Sequence, residues 1–254
     1  MPIYYLRRLT GRDRSAQANL HLGLSLAFIA GAMNAGGFLA VHQYTSHMTG
    51  IVSSIADGLV GGDIDFALAG IGALTCFMIG SAVSEMLIMW ARNHQLQSEY
   101  ALSLLLEDIL LLVFGVLGEF FHEYMGLFVS ITIMLMCFIM GLQNAIITKI
   151  SNAVIRTTHV TGIVTDIGSE LGRMFYWNRT LDKEDVGFVR ANRERLLLFS
   201  GLLMMFLGGG VVGAYGFKTV GFWATIPLAL ALLALAIVPV IDDMVHRLKL
   251  KVRK

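Results

Sequence analysis

Charge is what this sequence has least of. Asp, Glu, Lys and Arg make up 15% of its 254 residues, against roughly 25% in a soluble globular domain. That shortage, with 56% hydrophobic residues and a mean hydropathy of +0.70, excludes an ordinary water-soluble globule. Cysteine is scarce too. Cys76 and Cys137 each fall in the middle of an apolar stretch, where they read as packing thiols rather than a disulfide. No His-Glu-x-x-His occurs and three convergent zinc ligands are not evident, which argues against a metalloenzyme. The first 19 residues are polar and basic (Arg7, Arg8, Arg12, Arg14) and hold no cleavage site, so no removable signal peptide is expected. Neither a cofactor nor a nucleic-acid partner is expected, and the chain is not read as an enzyme.

What is present is apolar length. A span needs about 20 mostly apolar residues, and six stretches meet this: Leu20–Val41, Phe66–Trp90, Ala101–Phe121, Met125–Ile147, Leu196–Tyr215 and Gly221–Ile241. Cytoplasmic loops are enriched in Lys and Arg. The basic arm, the tail Arg247, Lys249, Lys251, Arg253, Lys254 and the segment with Arg173, Arg179, Lys183, Arg190, Arg193 and Arg195 should therefore be cytoplasmic. The connection Glu119–Glu123 has no Lys or Arg and can lie outside.

A motif occurs twice. One copy is Thr45-Ser46-His47-Met48-Thr49-Gly50-Ile51-Val52, the other Thr157-Thr158-His159-Val160-Thr161-Gly162-Ile163-Val164. Each follows an apolar stretch with a matching signature, Phe28-Ile29-x-Gly31-x-x-Asn34-Ala35 and Phe138-Ile139-x-Gly141-x-x-Asn144-Ala145. The copies are offset by 110 residues at the asparagine and 112 at the histidine. The chain reads as an internal duplication. In membrane proteins such repeats with broken helices point to a transport site.

The segments after the two motifs, about 47–62 and 159–173, are too short and polar to cross. They are expected to be re-entrant helices, the first dipping in from outside and the second from the cytoplasm. Each half then holds three crossings, an odd number, which makes the repeats inverted. The alternative of eight spans and parallel repeats forces Asp166, Glu170 and Arg173 through lipid, at about 2.5–3.5 kcal/mol per charge near a helix centre. The expected layout is a basic arm 1–19, repeats 20–123 and 124–242 with a cytoplasmic loop 174–195, and a basic tail 243–254. The fold class is all-α integral membrane, six transmembrane helices plus two short re-entrant helices, with both termini cytoplasmic.

The start of a short helix offers free N–H groups and the positive end of its dipole, which favour an anion or a carbonyl-bearing solute. Thr45, Ser46 and Thr49, with Thr157, Thr158 and Thr161, are candidates to accept from those amides. The candidate solute site is Thr45, His47, Thr49, Gly50, Thr157, His159, Thr161 and Gly162. Asn34 and Asn144 either join it or bond backbone across helices. His159, Asp166, Glu170 and Arg173 share one helix face, where the first copy has His47, Ser54 and Gly58; Asp57 lies a turn away. His159, Asp166 and Asp57 are candidates for coupling transport to protonation. Gly80-Ser81-Ala82 and Gly208-Gly209-Gly210 with Gly213 read as close helix contacts, and Glu107-Asp108 as an interfacial pair, with a proton relay as the alternative.

A Gly-x-x-Asn-Ala helix followed by a Thr-Gly motif, over roughly 20–242, resembles the YoaK-like family of bacterial inner-membrane proteins, which is defined by a domain of unknown function. The family pattern often carries Asn after Thr-Gly; Ile51 and Ile163 stand there in this chain. The resemblance implies a bacterial cytoplasmic membrane and supplies no substrate. The function expected is a transporter or channel for a small anionic or polar solute, with a structural or regulatory membrane protein as the alternative. The bilayer and the solute are the partners, and a bundle this small is compatible with a homodimer.

Overall fold

The computed structural model describes residues 16–41, 43–96, 98–121, 125–150, 158–176 and 189–252. Of the sequence-based expectations, those for the arm through Ser15, Thr157, Glu123 and the segment 177–188 lie outside the described residues. Within them the chain is helical throughout: α1 Ala16–Val41, α2 Met48–Gly61, α3 Ile64–Asn93, α4 Ala101–Phe121, α5 Met125–Ile150, α6 Val160–Phe175, α7 Arg193–Val220, a 3-10 turn Gly221–Ala224 and α8 Thr225–Val252. α1, α3, α4 and α5 are each long and apolar enough to cross a membrane. A fifth apolar stretch, Arg193–Val238, runs through α7, the 3-10 turn and half of α8. This is an all-α, multi-pass architecture. α8 runs on to Val252, into the basic tail.

The helix boundaries follow local chemistry. Asp63 caps α3 by accepting from Phe66 N at 3.0 Å, and Asn192 caps α7 by accepting from Arg195 N at 3.1 Å. Gly62, at φ 76°, ends α2 in the left-handed region that glycine enters without a Cβ penalty. Gly221, at φ 61°, breaks the long apolar stretch between α7 and the 3-10 turn.

The helices pair across the two halves of the chain. α1 lies against α7, α3 against α5 and α4 against α8, while each short helix rests on the long helix that follows it, α2 on α3 and α6 on α7. Backbones touch at matched positions. A Cβ on Gly31 would overlap the Phe206 carbonyl, and one on Gly141 would overlap that of Phe77. In return, a Cβ on Gly209 would overlap the Phe28 carbonyl, and one on Gly80 that of Phe138. Phe28/Phe138 and Gly31/Gly141 are offset by 110 residues; Phe77/Phe206 and Gly80/Gly209 by 129. The small-residue clusters are thus close contacts, Gly213 included against Ala32, whereas Gly208 faces open space.

The junctions from short to long helix also match. Asp63 N donates to Gly58 O at 2.9 Å, and Asn192 N donates to Glu170 Oε2 at 2.7 Å. Gly58 and Glu170 are equivalent positions in the two copies. The second junction spans a longer connection, and a buried glutamate supplies the acceptor that a helix carbonyl supplies in the first. Glu170 is therefore an anchor, held also by Arg173 Nη1 at 2.8 Å, and not part of a charged pathway face. The pair Glu107-Asp108, expected at the interface, is buried: Glu107 is fully so, and among the described residues neither of its carboxylate oxygens meets a hydrogen-bond donor. Cys76 and Cys137 are free thiols packed beside Ile51 and Ala73.

Candidate functional site

The two motif copies take the same backbone conformation at their histidines: φ −91°, ψ 70° at His47 and φ −84°, ψ 56° at His159. Each is the residue just before a short helix. The first helical bonds close only at Ile51 N to His47 O and Ile163 N to His159 O, both 3.1 Å. Neither helix start receives a side-chain cap. Two of the hydroxyls expected to cap, those of Ser46 and Thr158, donate to asparagines. Asn34 Oδ1 on α1 accepts from Ser46 Oγ at 2.8 Å and from Ser46 N at 3.3 Å. Asn144 Oδ1 on α5 accepts from Thr158 Oγ1 at 2.8 Å, while its Nδ2 donates to Met140 O at 2.9 Å. Each hydroxyl proton goes to a carboxamide on the preceding long helix. The hinge therefore bonds outward and leaves the helix start open. Thr45 is buried, with no partner at its hydroxyl among the described residues.

The glycine three residues after each histidine has a steric reason. A Cβ on Gly50 would overlap the His47 ring, and one on Gly162 the His159 ring. Each imidazole lies across the first turn of its helix, in space that only glycine leaves free. Ile51 and Ile163, the residues after the two glycines, are buried.

The histidines share one cavity of about 1200 Å³. Of the predicted residues, Asn34, His47, Thr49, Asn144, His159 and Thr161 line it. Thr45, Gly50 and Gly162 stand behind the lining, Asp57 and Asp166 are exposed outside it, and Thr157 lies outside the described residues. Ser46, Ser81, Thr148, Thr158, Glu85 and Lys149 also line it. Lys149 Nζ on α5 reaches Glu85 Oε1 on α3 at 2.5 Å, with both side chains about one-third exposed (35% and 36%). Sequence reasoning missed this pair, although a carboxylate inside the second apolar stretch is itself a signal, since ionisable groups at membrane depth mark functional sites. Ser81 Oγ bridges α3 to α5 by donating to Gly141 O at 3.1 Å. No group of three His, Cys, Asp or Glu converges among the described residues.

A family model described as "Protein of unknown function (DUF1275)" matches residues 22–238. The chain belongs to the DUF1275 family. It is 30% identical over 166 residues to the UPF0700 transmembrane protein YoaK of Bacillus subtilis (strain 168), covering 64% of this chain and 71% of that protein. No solved structure matches it. This DUF1275 chain is a multi-pass membrane protein, and the matched region takes in both motif copies and the whole cavity lining.

The two asparagines carry a stability prediction. Asn34→Ala and Asn144→Ala each leave a hinge hydroxyl without its acceptor, and each should cost about 1–3 kcal/mol. Thermal unfolding in detergent checks this. Thr158→Ser keeps the hydroxyl donor to Asn144 Oδ1 and should retain most of the parent midpoint; a midpoint as low as that of Asn144→Ala would count against the hinge bond.

Proposed function

We propose that this protein is a transporter or channel for a small anionic or polar solute, which binds between the two Thr-x-His-x-Thr-Gly helix starts. One observation carries the reading: the cavity takes His47 and Thr49 from one copy and His159 and Thr161 from the other. Two uncapped helix starts favour negative or carbonyl groups there. The protein acts without covalent chemistry on its solute. Proton coupling through Asp57 or Asp166 is not part of the proposal, because neither lines the cavity.

The transport reading goes with six spans and inverted repeats. α2 and α6, with 14 and 16 residues, are roughly 21 and 24 Å long, short of a hydrocarbon core of about 30 Å. The 46-residue stretch Arg193–Val238 would extend roughly 69 Å, enough for two crossings that part at Gly221. The reciprocal glycine contacts support a two-fold relation between the halves. The Lys and Arg distribution supports cytoplasmic termini in a bacterial inner membrane.

A competing reading, a structural or regulatory membrane protein, draws on Asn34 and Asn144 serving the hinges rather than a solute. Purified protein in proteoliposomes separates the two. Accumulation of a labelled small solute supports transport, and none across anionic and neutral polar solutes supports the alternative. The inverted arrangement has its own test. A cysteine at Asp63 should react with an impermeant thiol reagent from outside the cell; reaction only from the cytoplasm would establish eight spans.

A further inference from the structure

Glu85 and Lys149 are charged side chains placed where the repeat needs none. The position matching Lys149 in the first copy is Leu39, and the one matching Glu85 in the second half is Ala214. The ion pair therefore belongs to the α3–α5 side of the cavity and has no counterpart on the α1–α7 side. Stability does not explain it. A pair this exposed contributes little. The interface it spans is already closed by the Gly80 and Gly141 backbone contacts and by the Ser81 bond to Gly141 O. Both groups line the cavity itself. Apart from the two histidines and Tyr44, they are the titratable side chains among its described lining residues. Ser46, Thr158 and Ser81 spend their hydroxyl protons on Asn34, Asn144 and backbone oxygens. Lys149 is the lysine or arginine among the described lining residues.

We propose that Lys149 is the solute-binding cation of this cavity and that Glu85 occupies it as a built-in carboxylate when no solute is present. The solute class is then a small organic carboxylate, which displaces Glu85 by offering Lys149 the same oxygen pair. A volume of about 1200 Å³ leaves room for such a molecule with water around it. The displaced Glu85 is left facing the cavity without its partner. Its return to Lys149 provides the force that releases the solute. The inference rests on the cavity being the solute site and adds its ligand class and its competing group.

The test uses the purified full-length protein in detergent, with radiolabelled acetate as probe in equilibrium dialysis. Glu85→Gln removes the competitor and should bind acetate about fivefold tighter than the parent, the worth of a partly exposed ion pair. Lys149→Gln should bind it at least about tenfold more weakly, and Lys149→Arg within about threefold of the parent. Lys149 also reports directly. Its reductive methylation, read by peptide mass, should be faster in Glu85→Gln than in the parent and slowed by acetate but not by glycerol. This readout holds even if Lys149→Gln fails to fold. Equal acetate affinity in the parent and Glu85→Gln, or undiminished affinity in a folded Lys149→Gln, overturns the assignment. Acetate binding in this pattern without uptake of any solute by proteoliposomes leaves the assignment standing and overturns transport. Uptake of an uncharged solute without acetate binding does the reverse.

Discussion

Valine at Gly31, Gly80, Gly141 or Gly209 should leave no folded protein. Each of these glycines lies against a carbonyl of the facing helix backbone. A side chain there cannot be relieved by a rotamer change elsewhere, because the obstacle is main chain. Overpacking against side chains costs about 1–3 kcal/mol; here two helices must separate along their length, and that exceeds the margin of an ordinary protein. The four substitutions should behave alike because their contacts are the same contact made twice. Gly208→Val is the control, since nothing lies within 4 Å of its Cβ position. Size-exclusion profiles of fluorescent fusions in detergent would show it: aggregate for the four, a monodisperse peak for Gly208→Val. A monodisperse peak for any of the four would mean that the helices pack differently at that point.

Loss of uptake is the second large effect, and it should follow from changing either imidazole or the glycine beneath it. His47→Ala and His159→Ala each remove a ring that lines the cavity over an uncapped helix start. A hydrogen bond to a charged solute is worth about 1.5–3 kcal/mol, or roughly 10–100-fold in affinity. Gly50→Ala and Gly162→Ala should produce losses of the same order while keeping both histidines, because the added methyl occupies the space of the ring. The glycine variants distinguish a positioned imidazole from one that merely fills space. Uptake is measured in proteoliposomes, with unfolding midpoints confirming intact protein. Full uptake in both alanine-for-glycine variants would mean that ring position does not matter.

Much of this arrangement is legible in the chain. The short helices lie within two residues of where the motifs put them, because hydroxyl residues and a glycine after a histidine mark a helix start whatever surrounds it. Gly80, Gly209 and Gly213 announce close contacts because small residues in an apolar stretch have few other uses. Which helix they touch is not legible. Hydropathy says that α1 and α7 are both apolar and nothing about their being partners. Glu85 and Lys149 escape notice for the same reason: they stand 64 residues apart and meet only when α3 lies on α5. Glu170 misleads for a different reason. Its spacing from His159 and Asp166 looks like a lined path, yet its carboxylate is spent on Arg173 and on the amide of Asn192, the residue just before α7. The threonine and serine hydroxyls mislead too, because a cap and a bond to a neighbouring asparagine use the same residue types.

The cross-pairing of helices also sets an order of events during synthesis. α3 ends at Asn93 and its partner α5 begins at Met125, so about 32 residues separate them. α1 ends at Val41 and waits for α7, which begins at Arg193, about 152 residues later. At roughly 5–20 residues per second, α3 meets its partner within about 2–6 s, whereas α1 waits about 8–30 s for α7. Through that interval the face carrying Gly31 and Ala32, where α7 will press its backbone, is covered by lipid or by the insertion machinery. α1 thus waits longest for its partner, while α8, which begins at Thr225, arrives last and seats α4.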